Sequence, residues 1–316
     1  ASGMLTPASL SACSKSEPQQ QHEAAARTMV ATGRRSFTGA LGEGGAGLSS
    51  FVTLRDPWYA DFPMLWLAAC AVSEPAPPPD FDEAVHLAFR KFETATDAEL
   101  AQYVLAMEAE IDGALDLAAV DLALRSFTPT PLSVEDVSGV DVPDRDPRLA
   151  LTSALVRQSL FPRADHLPLP LIVDQTPLEP QCPDHYIRSF VEGEACWPDC
   201  LMRTSNDLTK ANLLFEASYI LPKEYRPFDV GDGRTATFAR TWTTDRVVAE
   251  EEAAVIEQSE SIEFWLDRPD GTGALRMMAV FSETTFAELE ADDATVEATL
   301  RLGTDQIFAR QDEWLS

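Results

Sequence analysis

Lysine is almost missing from this chain of 316 residues: it occurs only at Lys15, Lys91, Lys210 and Lys223, and with arginine the basic residues number 24 against 52 acidic ones. The formal net charge of −28 repels phosphate backbones and anionic bilayer surfaces, which excludes nucleic acid as a partner. Long apolar runs are missing too. The longest, FPMLWLAACAV at 62–72, falls far below the ~20 residues a membrane-spanning helix needs, and Pro63 interrupts it. Catalytic signatures are equally scarce. No G-x-S-x-G turn occurs, and the four histidines, His22, His86, His166 and His185, lie scattered along the chain. Gly42, Gly44 and Gly47 satisfy G-x-G-x-x-G, but they lack the preceding strand and the later acidic strand end that a dinucleotide site requires. Arg34-Arg35-Ser36-Phe37 lacks the apolar segment of an export signal. These absences leave no assignable catalytic residue.

What is present begins with an address. Leu10-Ser11-Ala12-Cys13 resembles the pattern at which bacterial lipoproteins are cut and lipidated, and SKSEPQQQ at 14–21 has no apolar residue to bury. The pattern implies a flexible tether over 1–22, lipid on Cys13, and a body held outside the cytoplasm at the cell envelope. A membrane is then reached only through that anchor.

A chain of this length with 45% hydrophobic residues is expected to build two cores. Over 23–130 the pattern is helical. Phe81, Val85, Ala88, Phe89 and Phe92 share one helix face behind an Asp80-x-x-Glu83 start, and Leu100, Tyr103, Val104, Met107 and Ile111 share another behind Thr96-x-x-Glu99. These two helices are expected to pair in a helical N-terminal domain. Residues 131–148 are rich in proline and acid and read as a linker, with Asp141, Asp144 and Asp146 spaced for calcium but without the EF-hand pattern. Trp58, Tyr59 and Trp66, in an irregular proline-rich stretch, suggest anchors for a protein partner, so an accessory subunit of a larger assembly is the alternative function.

Four metal-type donors cluster as Cys182, His185, Cys196 and Cys200. They suit a disulfide between two of the cysteines in an oxidising compartment, or a structural zinc, or plain thiols; no other cofactor is indicated. Cys70, inside the apolar run, reads as a small buried hydrophobe.

Residues 149–316 read as an α+β domain: a short helix at 149–160, alternating strands, a hairpin around Asp270-Gly271, and a long terminal helix carrying Val296, Leu300, Gly303, Ile307 and Trp314 on one face. That order resembles the helix-grip arrangement of the START and polyketide-cyclase-like superfamily. The resemblance implies an antiparallel sheet wrapped on its last helix around a cavity for a hydrophobic small molecule or lipid. Phe215, Tyr219, Trp242, Phe264, Met277 and Val280 are then the expected ligand-binding residues. The competing expectation is that the same residues fill the interior completely. Glu257, Glu260 and Glu263, flanking the hairpin, become informative only if one proves buried.

Overall fold

The computed structural model describes residues 80–114, 124–211, 215–287 and 292–316. The tether, Cys13, Cys70 and the aromatics Trp58, Tyr59 and Trp66 lie outside the described residues.

Helix α1 (Phe81–Arg90) starts where the Asp80 carboxylate accepts the Glu83 N–H at 2.9 Å. Helix α2 (Asp97–Ala114) starts at a reciprocal box, in which Glu99 accepts the Thr96 N–H at 2.7 Å and Thr96 Oγ1 accepts the Glu99 N–H at 3.3 Å. Both apolar stripes are buried as their spacing predicts. However, the helices do not enclose a core of their own. Their side chains share one core with Ala154, Phe238, Phe264, Met277 and Phe281 of the strands, and Leu132 and Val137 of the expected linker are buried in it. Residues 131–148 therefore cover a core instead of separating two. Their acids serve turns: Asp136 accepts from the Ser133 N–H, and Asp146 caps the turn Pro147–Leu149 through the Arg148 N–H. Among the described residues, no group of three acidic, histidine or cysteine side chains is placed to hold a metal ion.

The strands are β1 (Leu124–Phe127), β2 (Leu151–Ser159), β3 (His185–Glu192), β4 (Met202–Ala211), β5 (Glu216–Gly231), β6 (Arg234–Trp242), β7 (Val247–Val248), β8 (Ala254–Asp267) and β9 (Ala274–Phe286). A helical turn, α3 (Arg163–His166), follows β2, and α4 (Asp293–Leu315) closes the chain. The sheet runs β1-β2-β9-β8-β6-β5-β4-β3, all antiparallel, with β7 on β8. The early strand β2 thus lies beside the last strand β9, and α4 packs across β2. This is the α+β helix-grip order, extended by an edge strand and a helix pair.

The segment expected as a short helix at 149–160 is β2. Ser153, Ala154, Leu155 and Val156 are all buried, and a strand covered on both faces loses its period of two, so its sequence mimics a helix. The β8–β9 hairpin closes as its Asp-Gly signal indicates, with the Arg268 N–H donating to Gly273 O at 3.1 Å and Gly271 at φ +69°. Gly303 of α4 is buried, but not against a strand. A Cβ there would come within 1.6 Å of Gln181 Nε2, so the glycine admits that side chain.

Alternation along the strands sends side chains to two covered faces. Phe228, Phe238, Ile262, Phe264, Leu275, Met277 and Phe281 point to α1 and α2. Leu155 and Met278 point to Phe308 of α4, and Met202, Tyr225, Ala239 and Trp265 share that second face by register.

Candidate functional site

The face under α4 gathers buried charged side chains from three strands. Tyr219, Leu221, Lys223 and Tyr225 alternate inward along β5, opposite Leu208, Asn206, Thr204 and Met202 of β4. Glu263 and Trp265 come from β8, and Tyr186 and Arg188 from β3. Lys223 Nζ donates to Glu263 Oε2 at 2.9 Å with Glu263 only 1% exposed. Burial works against the Lys223 charge, but the facing carboxylate outweighs it and holds the ammonium charged well beyond its ordinary range.

Tyr225 stands at the centre of the cluster. Lys223 Nζ lies 5.2 Å and Arg188 Cζ 5.4 Å from its ring centroid, and the Trp265 ring stacks at 6.4 Å. Arg188 donates to Asn206 Oδ1 at 2.8 Å and to Pro170 O at 2.7 Å, and among the described residues it meets no carboxylate. In this cluster, Glu263 Oε1 and Trp265 Nε1 are buried without a hydrogen-bond partner. Glu179 keeps some open surface yet stands deep among protein atoms, and burial pushes its carboxyl up to about 7 against the pull of Lys223. Tyr219, Leu221, Lys223 and Val280 likewise remain part-open on this face of the sheet.

One end of this face is closed. His166 shares Ser159 Oγ at 3.2 Å, Ser159 donates to Asp312 at 2.7 Å, and Arg276 donates to the same carboxylate at 2.8 Å, tying α3 and β9 to α4. Burial, with Arg276 nearby, pushes the His166 imidazolium down to about 3, so the ring is neutral. Ser159 is fully buried, so this Ser–His–Asp chain presents no nucleophile to a substrate. A space of about 10 Å³ lies beside it, lined by Arg163, His166, Trp197 and Trp265 among others, which is room for about one water.

The six expected ligand residues are divided. Tyr219 and Val280 lie on the face under α4. Phe264 and Met277 lie on the opposite face, sealed beneath the helix pair, and Trp242 stacks there with Arg240 at 5.4 Å. Phe215 meets Phe286 at 6.2 Å in a separate cluster with Ala217 and Ile256. Glu260 and Glu263 are both buried, on opposite faces, whereas Glu257 pairs with Arg246 at 2.8 Å near the surface.

The cysteine cluster also separates. Cys196 and Cys200 form a disulfide, while Cys182 is buried with Tyr186 and Leu208, its thiol pushed up to about 12 by burial. His185 pairs with Asp207 at 3.4 Å. The eight residues of β3 stand between Cys182 and Cys196, and at ~3.3 Å per residue they hold the two apart, so the four donors do not converge on a zinc ion.

A second concavity, of about 310 Å³, opens over the start of α1 between Asp82, His86, Arg90, Thr130 and Asp136. His86 Nδ1 is 3.0 Å from the Asp136 carboxylate and Nε2 is 3.0 Å from Thr130 O. Both neighbours accept, so they favour the protonated ring and raise the His86 pKa above its ordinary range.

No protein-family model matches this chain, and no curated protein does. Solved structures similar to it include a STAR-related lipid transfer protein from Xanthomonas axonopodis, at 10% identity and a TM-score of 0.37 over 61% of this chain and 93% of that one. A Thermus thermophilus protein follows at 15% identity and 0.33, covering 51% and 94%. Ara h 8.0201 is similar at 14% and 0.31, covering 52% and 97%. Strand order and the gripping terminal helix, not these scores, carry the helix-grip reading of the fold.

Proposed function

We propose that this protein binds a hydrophobic small molecule or lipid with a polar end, between its sheet and α4, and does so as a protein of the cell envelope. One observation carries the binding reading: the inward positions Tyr219, Leu221 and Val280 stay part-open while Glu263 Oε1 and Trp265 Nε1, both buried, lack partners. Buried polar atoms are rarely left so in a filled interior, and a ligand's polar end or the water it displaces supplies what is missing. The Cys196–Cys200 disulfide supports the envelope, because such bonds persist in oxidising compartments. Lipid on Cys13 is the proposed anchor.

Native mass spectrometry of protein purified from its own cells, followed by solvent extraction, tests the first part. A bound amphiphile of defined mass is the expected result. An empty protein that also fails to take up a fluorescent fatty-acid probe overturns it. Labelled palmitate should enter the full-length protein and be lost in Cys13→Ala; equal labelling of both removes the anchor.

A further inference from the structure

We infer that the polar end of the ligand is an acidic group, carboxylate or phosphate, received beside Tyr225 by Arg188, Lys223 and the Trp265 N–H. The inference rests on the binding reading above and adds the charge of the head group.

The argument is one of uncompensated charge. The molecule carries a net −28, yet two cations, Arg188 and Lys223, are drawn together beside Tyr225. The carboxyls that act on them are Glu263 and Glu179. Glu263 is committed to Lys223 through Oε2. Arg188, 4% exposed, is left with two neutral acceptors, Asn206 Oδ1 and Pro170 O; among the described residues no carboxylate is within ion-pair reach of it, and Glu179 acts on it only from farther off. A buried guanidinium without a direct ion-pair partner is costly, and its planar group suits carboxylate or phosphate. The Trp265 N–H, also buried and unpartnered, adds a third donor beside the same ring. Glu263 Oε1 is a buried acceptor without a partner, so it repels a second anion and sets the acid toward Arg188 and Trp265. Tyr219, Leu221 and Val280, part-open on the same face, are the apolar surface assigned to the remainder of the ligand.

Binding of palmitate, hexadecyl phosphate, 1-hexadecanol and hexadecylamine to the full chain, read by displacement of a fluorescent acyl probe, tests this. The acids should bind roughly 10-fold or more tighter than the alcohol, and the amine weakest. Arg188→Met should close the gap between acid and alcohol, and Arg188→Lys should keep part of it. Trp265→Phe keeps an aromatic ring while removing the N–H and the second ring of the indole, so it serves even if Arg188→Met fails to fold; it should weaken the acids a few-fold more than the alcohol. An alcohol bound as tightly as the acids, or a gap untouched in both variants, overturns the head-group assignment while leaving amphiphile binding in place. Failure of all four probes to bind removes the binding reading itself.

Discussion

The two faces of this sheet share a backbone and differ in what covers them. Toward α1 and α2, two broad apolar stripes meet seven large strand residues, and the charges at the margin are paired. Arg226 donates to Phe92 O and Ala95 O, each at 2.7 Å, and Arg240 to Phe89 O at 3.1 Å and Glu224 at 2.7 Å, so strand arginines satisfy carbonyls that the end of α1 leaves open. Arg234 holds Glu108 of α2 in the same way. Toward α4, a 23-residue helix buries only Gly303, Thr304, Phe308 and Gln311, and the strand charges beneath it are half-paired. The rest of that face is covered by the segment between β2 and β4, through Leu171, Cys182 and Trp197. The comparison separates a face closed by apolar packing from one whose strand charges stay half-paired.

The largest expected effect tests the sealed face. Phe264→Ala should cost about 3–5 kcal/mol, because Phe264 is fully buried among Phe238, Ile262 and Met277, and the cavity left cannot collapse. Leu221→Ala, on the part-open face, should cost under about 1.5 kcal/mol. Urea unfolding of both variants gives the two numbers. Equal losses would mean that both faces are packed alike, and the division drawn here would fail.

Glu260 is the exception on the sealed side, and it predicts a gain. It is 1% exposed opposite Phe281 and Trp242, neither carboxyl oxygen has a partner, and burial pushes it up to about 8, with Glu283 adding to the shift. A carboxyl whose folded pKa is raised costs stability above its unfolded value of 4.5, and the cost grows until pH passes about 8. Glu260→Gln should therefore stabilise the protein by on the order of 2–3 kcal/mol at pH 7 and by little at pH 4. Thermal melts at the two pH values decide it. A destabilised variant at pH 7 would show that Glu260 has a partner and that the sealed face is wetter than its neighbours indicate.

Much of the sealed face was legible in the sequence, because apolar spacing is the signal that burial writes. The stripes of α1 and α2, their caps and the β8–β9 hairpin follow from it. The same signal left the six expected ligand residues divided between the two faces and a separate cluster. Choosing the most apolar strand residues selected Phe264, Met277 and Trp242, which belong under the helix pair, since that is where dry side chains go. The residues of the candidate site are charged ones in strand interiors: Glu263 between Ile262 and Phe264, and Arg188 between Ile187 and Ser189. A charge that breaks an apolar strand in mid-length was the available clue. Strand β2 was misread for a related reason: covered on both faces, it lost the alternation that marks a strand. The stretch 131–148 looked like a linker because its acids and prolines were counted and its Leu132 and Val137 were not.

The smallest effect sharpens the comparison through one histidine on each side. Burial opposes the His86 charge, but the Asp136 carboxylate and Thr130 O outweigh it, with Asp82 adding to the attraction, and the imidazolium is favoured above its ordinary 6.5; Arg90 is the one cation at that groove. A raised histidine contributes stability that is full below the unfolded pKa and is lost as pH rises through the folded one. The advantage of wild type over His86→Gln should therefore be roughly 1 kcal/mol at pH 6 and shrink toward pH 8. His166 has the opposite sign. Held neutral by burial down to about 3, it contributes above pH 6.5 and loses that contribution as pH falls. An NMR titration of the two rings tests both: His86 should change charge above pH 6.5 and His166 stay neutral through pH 4. A His166 that titrates near 6.5 would place water at the end of the α4 face that Ser159, Asp312 and Arg276 are drawn as closing.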